Sequence, residues 1–190
     1  MPAPHDPTID QVFRPRTRIA PDGTIEGYAS LFGEIDASRD MVLPGAFAQT
    51  LKRRGLRRIP MLFQHDPAEP VGIWLELRED HRGLHARGKL IPEVMRAREL
   101  LALLKAGAAD GLSIGFKTVR ARIDPKTRIR KLAEVDLWEI SLVTFPLLAG
   151  ARVHSVKENG FGARPVSVVR RRAETEWRNL TPQQTRFTSP

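Results

Sequence analysis

Residues 135–145 read Val-Asp-Leu-Trp-Glu-Ile-Ser-Leu-Val-Thr-Phe, a run rich in β-branched and aromatic residues with Glu139 set in its middle. A run of this length and composition predicts a strand buried on both faces. A carboxylate inside such a strand costs several kcal/mol unless a partner satisfies it. Period-two alternation predicts Glu139 and Ser141 on one face, and Trp138, Ile140 and Leu142 on the other. Any fold open to this chain must therefore bring a partner to Glu139, either an imidazole or one of its many arginines.

The remaining pattern is mostly strands. Residues 23–32 predict a strand entered through the turn Pro21-Asp22-Gly23, followed by a loop with Asp36, Ser38 and Asp40. Pro44-Gly45-Ala46-Phe47 opens a short helix, with Gly55 as its stop signal. Residues 59–63 form a short apolar strand, and 73–77 and 84–90 a hairpin whose turn contains Gly83. The clearest helix spans 92–106, with Pro92 in its first turn, Val94, Ala97, Leu101 and Leu104 at helical spacing, and Gly107 after its end. Strands at 114–123 and 129–145 are joined by Asp124-Pro125-Lys126-Thr127. The sum is a β-rich α+β domain over residues 16–156, a mostly antiparallel, closed or nearly closed barrel with surrounding helices. Residues 1–15 read as a loose arm, and 157–190 as a basic tail without periodicity.

Composition removes several function classes. The chain has no cysteine, so thiolate catalysis, disulfides and cysteine-ligated zinc are out. No apolar stretch is long enough to span a bilayer, and the N-terminus lacks the pattern of a signal peptide. The net charge is +9, clustered at 52–58, 117–131 and 170–172. No stacking aromatics, zinc finger or clear helix-turn-helix accompany those clusters. They predict a solvated or partner-facing surface, with nucleic-acid contact no more than non-specific.

Three residues could carry chemistry. Ser113 lies in Asp110-Gly111-Leu112-Ser113-Ile114-Gly115-Phe116, which literally matches G-x-S-x-G. Even the chain order Ser113, Asp136, His154 copies an α/β-hydrolase triad. A nucleophile elbow needs a strand before the serine and a helix after it, whereas here the helix precedes and a strand follows. The flanking glycines could leave room for a substrate backbone and expose amides to an oxyanion. The alternative is a tight helix-to-strand connection that the serine caps. His65 ends the apolar run Pro60-Met61-Leu62-Phe63-Gln64, and its ordinary pKa suits a base that takes a serine proton. Its alternative is a hydrogen-bonded structural histidine. A buried Glu139 would orient such a base, with Asp136 and Asp66 as competing acids. A metal pair at His81 and His85 lacks a supporting carboxylate motif.

Five blocks carry a resemblance: Gly27-Tyr28-Ala29-Ser30-Leu31-Phe32, Pro44-Gly45-Ala46-Phe47, Pro60-Met61-Leu62-Phe63-Gln64-His65-Asp66, Gly111-Leu112-Ser113-Ile114-Gly115-Phe116 and Leu137-Trp138-Glu139-Ile140-Ser141-Leu142-Val143-Thr144-Phe145-Pro146. In this order they resemble the prohead (capsid maturation) proteases of HK97-like tailed phages, which are related to the herpesvirus assemblins. The ending Ala149-Gly150-Ala151-Arg152 is similar to the gene-transfer-particle branch. The resemblance implies an assemblin-like fold with His65 and Ser113 as the catalytic pair. Glu139 is the acidic third member that fits, and no cofactor is involved. It further implies a homodimer working inside the immature capsid in the bacterial host cytoplasm. Its substrates would be the scaffold or the capsid protein's N-terminal scaffold segment, and the protease itself. A non-catalytic basic scaffold or assembly factor is the rival reading.

Overall fold

A computed structural model describes residues 22–154; the expected N-terminal arm and basic tail lie outside them. Among the described residues, eight strands and two α-helices follow in the order β1 (Thr24–Leu31), β2 (Asp40–Val42), α1 (Ala48–Arg54), β3 (Met61–Phe63), β4 (Asp66–Glu79), β5 (Gly83–Leu90), α2 (Met95–Ala106), β6 (Gly111–Ile123), β7 (Arg130–Val143) and β8 (Val153–His154).

Strand β7 organises the sheet. One edge pairs with β6 over nearly its whole length, and the other takes β2 and then β3. From β3 the sheet continues through β4, β5 and β1 to β8. Both short strands on the second edge run parallel to β7. The sheet is therefore mixed and open, where the sequence predicts a mostly antiparallel, closed or nearly closed barrel. Its ends approach without a continuous ladder. A bridge joins Gly111 to Arg152, and two backbone bonds, Leu112 N–H to Ala151 O and Val153 N–H to Asp110 O, flank it at 2.9 and 2.8 Å.

The core lies inside this curl, where Ile25, Phe47, Met61, Leu84, Leu112 and Ile140 are almost wholly buried. Helix α2 contributes Ala97, Leu100 and Leu104. It starts three residues later than predicted and ends at Gly107, whose φ of +71° lets the last turn close onto Leu103 and Leu104 carbonyls. Helix α1 is anchored by charge. Arg54 grips both carboxylate oxygens of Asp136 at 2.8 and 2.7 Å, and Thr50 accepts the Leu137 N–H at 3.1 Å.

Two local features position the site. The first is a bulge: Gly115 pairs with Glu139 but Phe116 pairs with Leu137, leaving Trp138 as an extra residue in β7. Leu137 and Ile140 thus both face the core, while Trp138 is 53% exposed instead of sharing a face with Ile140 and Leu142. The second is the β3–β4 connection. Phe63 pairs with Asp66, so Gln64 and His65 alone make the hairpin loop, with φ of +54° and +61°. Positive φ at both central residues matches a type I′ turn, normally built from Asn and Gly.

Candidate active site

Strand alternation places the three candidate residues around one patch on the outer side of the sheet. On β6, Leu112 and Ile114 pack into or against the core, so Ser113 and Gly115 face away from it. On β7, Ile140 and Leu142 take the core side, and Glu139 and Ser141 share the outer face with Ser113. Ser113 pairs directly with Ser141, and Gly115 with Glu139. Across β7 from Ser113, Leu62 of β3 pairs with Ser141, and the turn that follows carries His65 over the same patch.

The polar groups interlock there. His65 Nδ1 lies 2.6 Å from Glu139 Oε1, while Ser141 Oγ donates to Glu139 Oε2 at 2.5 Å. Ser141 Oγ also accepts the backbone N–H of His65 at 3.1 Å. Both carboxylate oxygens are thereby occupied, which answers the burial cost of a side chain only 12% exposed. The hydrogen bond that Glu139 accepts, helped by the carboxylate's charge, raises the His65 pKa above the ordinary 6.5 against the opposing effect of burial. With Nδ1–H directed at the carboxylate, the neutral ring keeps a lone pair on Nε2.

Ser113 is 5% exposed and borders a cavity of about 30 Å³ walled by Ala29, Leu31, Val42 and Leu148. Among the described residues no direct hydrogen bond joins Ser113 to His65. The two sit on opposite edges of β7, about 10 Å apart at the backbone for two strand spacings.

The glycines beside Ser113 have a different use from the one the sequence suggests. A Cβ on Gly115 would lie 2.1 Å from Glu139 Oε1, so its missing side chain houses the carboxylate, not a substrate backbone. Gly111 is filled against the Val143 carbonyl and the Pro146 ring. Nor is Ser113 a cap in a connection, because β6 already begins at Gly111.

The competing acids are engaged elsewhere. Asp136 binds Arg53, Arg54, Thr50 and the Trp138 indole, and the Arg54 bond leads in holding its carboxyl well below the usual range. Asp66 accepts the Ala68 N–H at 2.8 Å. His85 Nε2 meets Glu26 at 2.9 Å, and among the described residues no three ligating side chains gather for a metal. Ser141 is the member of this hydrogen-bonded cluster that the sequence did not single out as a candidate. A serine in a strand is an ordinary residue, and its only signal is its place two residues after Glu139.

Residues 13–162 match the family model of the caudovirus prohead serine protease. The chain is 40% identical over 138 residues to the prohead protease of Enterobacteria phage HK97, covering 71% of this chain and 60% of that one. It is 27% identical over 123 residues to the prohead protease of Escherichia phage T5, covering 64% and 57%. The chain thus spans less than two thirds of the length of these relatives. In structure it is similar to the bacteriophage T4 capsid assembly protease, with TM-score 0.52 and 15% identity, over 63% of this chain and 80% of that one. Against the KSHV protease the TM-score is 0.48 at 14% identity, over 68% and 63%.

Proposed function

The chain belongs to the caudovirus prohead serine protease family, and from that premise we propose that it is a serine endopeptidase with Ser113 as nucleophile, His65 as base and Glu139 as the acid that orients it. The observation that carries the reading is the 2.6 Å contact between His65 Nδ1 and Glu139 Oε1, built over the strand position that pairs with Ser113.

Glu139 fixes the tautomer, so His65 Nε2 takes the Ser113 proton as Oγ attacks the substrate carbonyl carbon. The tetrahedral intermediate collapses when the peptide C–N bond breaks and Nε2–H protonates the leaving amine. Water then attacks the acyl ester by the same route, returning the proton to Ser113. Ser141 cannot replace Ser113, because it is 0% exposed and its hydroxyl is committed on both sides.

The substrates in this reading are the scaffold or the N-terminal scaffold segment of the major capsid protein, and the protease itself. Cleavage takes place within the procapsid in the host cell, by a homodimer. HK97 and T5 relatives that bear the name prohead protease support cleavage in the prohead. Co-expression of Ser113→Ala with capsid protein tests it. Processing should disappear, since loss of a triad serine can cost about 10⁶ in rate, while expression and circular dichroism stay unchanged. Normal processing in that co-expression would exclude Ser113 as the nucleophile.

A further inference from the structure

The hydrogen-bond geometry points to Ser141 as a positioning residue for His65 and Glu139, a role that rests on the peptidase reading above. His65 and Gln64 occupy left-handed backbone at φ +61° and +54°, where a side chain is disfavoured by roughly 1–2 kcal/mol. Such a conformation persists only where the surroundings over-determine it. Part of that restraint comes from the Ser141 hydroxyl, which accepts the His65 N–H at 3.1 Å.

The same oxygen donates its own proton to Glu139 Oε2 at 2.5 Å. One hydroxyl therefore joins the backbone of the base to the carboxylate that orients the base. Its 0% exposure keeps water from replacing either bond. The ladder pairing of Ser141 with Ser113 sets this hydroxyl in register with the nucleophile. Removing it frees the Glu139 carboxylate to rotate away from Nδ1 and lets the strained turn relax. An alanine keeps the strand, the burial and the volume to within one oxygen, so it isolates the two bonds.

The test reads the His65 ring directly. Proton NMR titration of the purified full chain, as wild type, Ser141→Ala, Glu139→Gln and the double variant, reports the imidazole pKa without any need for turnover. In Ser141→Ala the His65 pKa should fall from its raised value toward 6.5. Glu139→Gln should lower it as well, and the double variant should add nothing further, because Ser141 reaches the charge on the imidazole ring only through Glu139. Steady-state cleavage by Ser141→Ala should show kcat lower by about 10² with KM unchanged, the loss expected for a slightly misplaced catalytic group. An unchanged His65 titration in a Ser141→Ala chain that melts like wild type would overturn the inference. So would a further fall in the double variant. Because the titration is independent of cleavage, an active Ser113→Ala variant would remove Ser113 as the nucleophile while leaving this result standing.

Discussion

At the scale of single residues, the proposed mechanism turns on how Glu139 changes the protonation of His65. Its hydrogen bond and charge favour the imidazolium, so the base becomes neutral only above the ordinary 6.5. Cleavage should therefore rise with pH through that elevated pKa. In Glu139→Gln the amide cannot stabilise the imidazolium, so the acid limb of the pH profile should move to lower pH while the plateau rate drops. A profile with its acid limb unmoved would remove Glu139 from the role of orienting acid. Stability carries the opposite signature. A group whose pKa is raised by folding stabilises the fold below its unfolded pKa, and that contribution is lost as pH rises through the folded value. The excess stability of wild type over Glu139→Gln should accordingly be larger near about pH 5.5 than above the His65 pKa, as urea unfolding at the two pH values would reveal.

At the scale of elements, the hairpin between β3 and β4 is where the fold is strained in favour of the site. Its two loop residues, Gln64 and His65, stand where Asn and Gly would be relaxed. Gln64 is exposed and keeps its place with a side-chain bond to Thr144 at 2.8 Å. Gln64→Gly should raise the unfolding free energy by up to about 1 kcal/mol, because glycine accepts positive φ without the Cβ penalty. A clear fall in stability would show that the turn is not strained at this position. Elements also mark how far the sequence could be read. Glu139 announced itself because a carboxylate in an apolar strand needs a partner, and the end of a strand made His65 a natural one. The bulge at Trp138 was illegible, since alternation of residue types gives no sign of one extra residue. Prolines 67 and 70 concealed the first half of β4, which pairs irregularly with β3 and so tolerates them. Strands β2 and β8 are three and two residues long, too short to leave a period. The parallel pairings of β2 and β3 with β7 left no local mark either, because a strand's own pattern does not name its neighbour.

At the scale of the whole molecule the question is what the positive charge does. Part of each cluster within the described residues is structural: Arg53 and Arg54 hold Asp136, Arg130 holds Asp40, and Arg120 and Lys131 pair with Glu134 and Asp124. The family match ends at residue 162. Beyond it, residues 163–190 carry six basic and two acidic side chains, a net +4 of the total +9. Charge outside the catalytic patch acts on encounter with substrate, through a field that salt screens over about 10 Å at 0.1 M. In the proposed mechanism it does not act on the bond-breaking step at Ser113. A chain truncated after Gly162 should therefore keep the kcat of the full chain on an acidic peptide. Its kcat/KM should be lower at low salt and should depend less steeply on salt, converging with the full chain at high ionic strength. Equal salt slopes for the two chains would place the steering charge within the catalytic domain itself, at Lys52, Arg57, Arg58 and the basic end of the β6–β7 hairpin.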